Sequence, residues 1–185
     1  MVYRNGTYIA FAADGQTDPT KSDIKYYNIF KGWKSMDSKE FNFVNSHDKV
    51  AAVRDSSKAE TIKRSLRERI NRSKNMLLLI GKTTKMDDDF VPYEINYAIR
   101  TCKLPIIVCY VEEDNRIVNS IPDRLKELWP NSLKVAMEHD EVKTIHIPLK
   151  EKVIVQALKD FSLVNQPKYS IGLYKKSVYD KLNIY

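Results

Sequence analysis

The chain has 185 residues, 43% hydrophobic and 30% charged, with 5 Gly, 7 Pro, 2 Cys and a formal net charge of +7. That length suits one domain burying about 70% of its unfolded surface, which needs no covalent or metal staple. Collagen-like, low-complexity and disordered classes are excluded, and Cys102 and Cys109, set among apolar residues, read as buried free thiols.

Met1 to Gly6 lack the charged-then-apolar pattern of a secretory signal. The longest apolar runs fall far short of the ~20 residues that cross a bilayer. A soluble, cytoplasmic protein with no membrane association is expected.

Strand-length apolar runs then alternate with stretches of helical period. Thr7 to Ala12 reads as a first strand, emptying into the turn-rich loop Ala13 to Pro19. Ser22 or Asp23 can cap a helix with Ile24, Tyr27, Phe30 and Trp33 on one face. Phe41 to Val44 is a short second strand, and the connection Ser46 to Ala59 is polar. Thr61 opens a basic helix with Ile62, Leu66 and Ile70 as its buried stripe. Met76 to Ile80 is apolar throughout, as a central parallel strand covered on both faces requires. Asp87-Asp88-Asp89 leads to a helix over Val91 to Cys102, with Asp89 as the predicted cap and Pro92 in the first turn. Pro105 to Val111 is the next buried strand, a short helix is expected around Pro122 to Trp129, and Val142 to Ile147 reads as the last strand. A helix over Lys150 to Phe161 follows.

Five strands alternating with helices predict an α/β, flavodoxin-like parallel sheet with helices on both faces. Residues 1–161 form the expected domain, and 162–185, with its tyrosines, an appendage packed on it or extending from it. Ligands in such sheets sit beyond the carboxyl ends of the strands, beside strand one.

The excess charge gathers at Lys63, Arg64, Arg67, Arg69, Arg72 and Lys74. With no groove-reading module or aromatic platform alongside, it reads as a solvated helix face, and nucleic acid is not an expected partner. Gly81-Lys82-Thr83 follows a buried strand, but a phosphate-binding loop needs Gly where Met76 stands. A phospho-receiver wants Asp at the end of strand three, where Ile80-Gly81 occurs. His47, His139 and His146 lack metal-ligand spacing, so no metal site is expected, and His146 within a strand reads as a structural histidine. Glu94, in a first helical turn beside the end of strand three, by position alone complements the helix dipole, worth ~0.3–1 kcal/mol.

Three segments carry a resemblance: Tyr8 to Ala12 with Tyr26 to Trp33, Leu77 to Thr84, and above all Phe90 to Ile99. Together they resemble a Toll/interleukin-1 receptor (TIR) domain, specifically the TIR-like ThsB-type proteins of bacterial Thoeris anti-phage defence. In catalytic TIR domains a Trp stands four residues before an essential Glu. Here Phe90 and Glu94 match those positions, with Phe in place of Trp still supplying an aromatic wall. The resemblance implies cleavage of the nicotinamide–ribose bond of NAD, with NAD as substrate and no separate cofactor. A cyclic ADP-ribose-type product would then activate a separate NAD-consuming effector. It also implies Glu94 as the catalytic carboxylate, Phe11, Asp14 and Phe90 lining the pocket, and Arg54, in the loop corresponding to the mobile loop of TIR domains, meeting the pyrophosphate. Homo-oligomeric assembly is a further implication, and a non-catalytic interaction or scaffold module is the alternative reading.

Overall fold

The computed structural model describes residues 4–12, 29, 43–44 and 56–185. Elements run in the order β1 (Gly6–Ala10), β2 (Phe43–Val44), α1 (Ser56–Asn71), β3 (Ser73–Ile80), α2 (Phe90–Asn96), β4 (Ile106–Tyr110), α3 (Asp123–Lys126), α4 (Asn131–Glu138), β5 (Thr144–Pro148), α5 (Glu151–Asp160), β6 (Gly172–Leu173) and α6 (Lys176–Lys181). The sheet order is β2-β1-β3-β4-β5-β6, and every pairing is parallel. The expected five-stranded doubly wound sheet is present, and the tail adds a sixth, two-residue strand on the β5 edge.

Period-two alternation sorts the strand residues into two layers. Tyr8, Ala10, Met76, Leu78, Val108 and Tyr110 face a cluster built with α1, α2, α3 and α4. Ile9, Phe11, Leu77, Leu79, Ile107 and Cys109 face α5 and the tail residues Tyr174 and Tyr179. Cys102 and Cys109 thus lie in opposite layers as free, buried thiols. Burial raises both thiols' proton affinity and keeps them unreactive.

Several boundaries differ from the pattern-based reading. The basic helix begins at Ser56, not Thr61, so the polar connection is shorter. The stretch after β4 holds two helices, α3 and α4, rather than one. Beyond Asn96, α2 widens into a π-helical turn over Tyr97–Thr101, closed by Cys102 N–H donating to the Tyr97 carbonyl. Lys103 then adopts a left-handed φ of 56°, and Leu104 N–H reaches back to the Ala98 carbonyl to end the helix.

A buried polar chain stitches the far side of the first layer. Trp129 Nε1 donates to Tyr110 Oη at 2.7 Å, Tyr110 meets His146 Nδ1 at 2.8 Å, and His146 Nε2 meets Thr144 Oγ1 at 2.9 Å. Thr144 closes the chain by donating to the Ser170 carbonyl of the tail. An indole N–H only donates and a carbonyl only accepts, so both ends set one direction. Tyr110 therefore donates to Nδ1, and His146 carries its proton on Nε2. Burial lowers the His146 pKa to about 3, which keeps the ring neutral. The expectation of a satisfied structural histidine holds.

Candidate functional site

The helix bearing Glu94 is started by Asp87, not by the predicted Asp89. Asp87 Oδ1 accepts from the backbone N–H groups of Asp89, Phe90 and Val91 at 3.1, 3.0 and 3.2 Å. Asp89 makes no cap bond and instead pairs with Lys63 of α1 at 3.3 Å. Nothing in a run of three aspartates marks which one turns inward, so the sequence pattern alone favoured the nearest.

The helix is held laterally by α1. Arg67 donates to the Tyr93 hydroxyl at 2.9 Å, Asn71 to the Tyr97 hydroxyl at 3.0 Å, and the Lys63 ammonium lies 5.2 Å from the Tyr93 ring centroid. Two charges of the basic helix thus brace α2.

Phe90 opens α2, half-buried against the first-layer core. Glu94 follows one turn later on the same face and turns inward, 2% exposed. The Tyr8 hydroxyl of β1 donates to Glu94 Oε1 at 2.5 Å. Glu94 Oε2 is buried with no hydrogen-bond partner among the described residues. Arg116 Nε and Ser132 Oγ share that condition, but both belong to half-buried residues. Desolvation by burial raises the Glu94 pKa to about 8; the Tyr8 bond opposes the rise and the nearby Asp87 charge adds to it. A carboxyl so placed favours its neutral form.

Phe11 does not join Glu94. It is 2% exposed in the opposite layer with Ile9, Leu77 and Leu79, because strand alternation points it through the other face of the sheet. Asp14 and Arg54 lie outside the described residues, as does the helix expected after Ser22. Tyr8 went unmarked in the sequence because a tyrosine in an apolar run reads as core, and the ring is core; only its hydroxyl reaches the site. A cavity of about 200 Å³ opens at the carboxyl ends of β3 and β4, lined by Ile80, Gly81, Tyr110, Glu113, Arg124 and Leu125 among others, and Glu94 is not on its wall. Burial works against charge on Glu113, but the Asn115 backbone N–H and Arg124, at 2.5 Å, hold its carboxyl below the usual range. Gly81 N–H is committed to Thr84 Oγ1, which fits the dismissal of a phosphate loop there.

The family model for the Thoeris protein ThsB, TIR-like domain, matches residues 8–116. The chain belongs to this family. The match takes in β1 through β4, with Tyr8, Phe90 and Glu94 inside it, and ends before the tail that supplies β6. As a ThsB TIR-like chain it is a component of the Thoeris anti-phage system. Among the described residues no helix is long and apolar enough to cross a membrane.

Proposed function

We propose that this ThsB TIR-like chain cleaves the nicotinamide–ribose bond of NAD with Glu94 as the catalytic carboxylate. The resulting cyclic ADP-ribose-type signal then activates a separate NAD-consuming effector. One observation carries the reading: a buried carboxyl with one oxygen held by Tyr8 and the other without a partner among the described residues, one turn past Phe90 rather than in the expected first turn of the helix after β3. When the C–N bond breaks, its electron pair leaves with nicotinamide, which becomes neutral, and the ribose acquires oxocarbenium character. Glu94 Oε2 is the group available to accept from a ribose hydroxyl and oppose that charge. Such a preorganised electrostatic contact is worth about 3–4 kcal/mol. Attack by water, or by the distal ribose hydroxyl of the same molecule, releases one proton and yields the open or the cyclised product. Phe90 supplies an aromatic wall one turn above, and Asp14 and Arg54 remain proposed contacts to the dinucleotide.

The test is mass spectrometry of NAD incubated with the protein and phage-infected lysate. Nicotinamide and a cyclised nucleotide are expected from the wild type and not from Glu94→Gln. A wild type that releases no nicotinamide under these conditions overturns the reading.

The burial of Glu94 favours a second reading, a non-catalytic TIR interaction module. Phage protection that persists in Glu94→Gln and fails on changing exposed residues such as Arg64 of α1 and Arg72 in the turn after it would establish it.

A further inference from the structure

The two oxygens of Glu94 are not equivalent. Oε1 is tied across the layer to β1 by a 2.5 Å bond from Tyr8, and both side chains are fully withdrawn from solvent. Oε2 meets no donor among the described residues. A phenylalanine would fill the volume of the Tyr8 ring equally well, so packing alone gives no reason for a hydroxyl here.

We propose that Tyr8 is the positioning residue for Glu94: its hydroxyl pins Oε1 to the first strand, leaving Oε2 as the one oxygen offered to the substrate ribose. This deepens the catalytic reading of Glu94 and rests on it. Without the pin the last torsion of the carboxyl is broad and the plane of the group is not fixed. With it, the orientation is set before the ligand arrives, which is where such sites gain their rate.

The neighbours make the pin's electrostatic signature readable. From β1 the group facing Glu94 is Tyr8, and from the turn ahead of α2 it is Asp87. On α1 the charges turned toward α2, Lys63 and Arg67, are engaged with Asp89 and Tyr93. α4 brings Leu133, Ala136 and Met137 to this layer, and β3 brings Met76, Leu78 and Ile80. Two groups therefore act on the Glu94 carboxyl in opposite senses: Tyr8 favours the ionised form and Asp87 opposes it.

The experiment is a titration of the Glu94 carboxyl carbon by 13C NMR in the full chain, for wild type, Tyr8→Phe and Asp87→Asn. Nicotinamide release against pH is measured in parallel with infected lysate as trigger. Asn at 87 retains an Oδ1 acceptor for the helix N–H groups and removes only the charge. The Glu94 midpoint should move to higher pH by about one unit in Tyr8→Phe, a tenfold change in proton affinity. It should move to lower pH in Asp87→Asn. The pH–rate curve should shift with it, with kcat below the midpoint falling about tenfold or more in Tyr8→Phe, KM changing less, and kcat staying below wild type at high pH, where only the lost orientation remains. A merely structural tyrosine would lower the melting temperature and leave the midpoint where it was, and coincident wild-type and Tyr8→Phe midpoints overturn the proposal. If Tyr8→Phe does not fold, 3-fluorotyrosine at position 8 decides: its more acidic hydroxyl keeps the ring, strengthens the donor and should move the Glu94 midpoint to lower pH, and an unmoved midpoint overturns the proposal. Should the midpoints shift as stated while the triggered wild type releases no nicotinamide, the pin stands and the catalytic reading beneath it falls.

Discussion

Two buried polar clusters share one layer of this sheet and are finished differently. Around His146 every donor meets an acceptor, from the Trp129 indole through to the Ser170 carbonyl. Around Glu94 the Tyr8 hydroxyl holds one oxygen, and the other is buried without a donor among the described residues. An unpaired buried polar group costs about 1–3 kcal/mol. The closed network is what stability alone would select. The open one leaves a donor position free. The contrast separates a histidine whose bonds close within the domain from a glutamate with one oxygen still open, a distinction that burial by itself does not make.

The sharpest break of this comparison is chemical. Glu94→Gln should reduce nicotinamide release at least about a hundredfold, read by mass spectrometry, while the variant keeps its cooperative melt. Stability against pH comes next, because the clusters pull in opposite directions. Glu94 has its folded pKa raised from 4.5 to about 8, so its contribution is present at low pH and is lost as pH rises toward 8. His146 has its folded pKa lowered from 6.5 to about 3, so its contribution is present above 6.5 and is lost as pH falls toward 3. Between pH 4.5 and 6.5 the two slopes cancel. Urea unfolding should thus show a plateau there, falling on either side by about 1.4 kcal/mol per pH unit. Glu94→Gln should flatten the alkaline edge and leave the acid edge intact. A smaller effect is expected from His146→Leu, which strands the Tyr110 hydroxyl and removes a donor from Thr144. It should cost about 2–3 kcal/mol of unfolding free energy and spare nicotinamide release at temperatures where the variant stays folded. The mildest is Asp87→Ala, which removes the acceptor from three helix N–H groups. About 1 kcal/mol should be lost, seen as a lower urea midpoint.

Much of the fold was legible because its signals are long-range averages. Continuous apolar runs such as Met76 to Ile80 read as strands covered on both sides, and the stripe of Ile62, Leu66 and Ile70, set in a long charged stretch, reads as a helix lying on them. Gly172–Leu173 was not readable as a strand, since two residues carry no periodicity and pairing with β5 alone makes them one. The widened turn at Tyr97–Thr101 left no trace in the spacing of Ile95, Ala98 and Ile99, which suits an α-helix equally well. At the site, the four-residue step from Phe90 to Glu94 was visible, and it set the two on one face. What a linear pattern could not supply was the partner from a distant strand. Tyr8 lies 86 residues from Glu94, and only the parallel packing of β1 beside β3 brings its hydroxyl under the helix. The same limit separates Phe11 from the site: a strand's neighbours point opposite ways, so proximity along the chain to Tyr8 became distance in space.

The π turn has a consequence of its own. It inserts one residue's worth of rotation between the half of the helix that carries Glu94 and the half that ends at Cys102. Removing a single residue from Tyr97–Thr101 would restore ordinary winding and swing one half by about 100° relative to the other. The lower half is anchored through Asn71, Arg4 and Leu104 and the upper half through Arg67, Lys63 and Asp87, so both sets of contacts could not survive the deletion together. A one-codon change at a distance from Glu94 would thus strain the Tyr8–Glu94 bond while leaving both side chains in the chain.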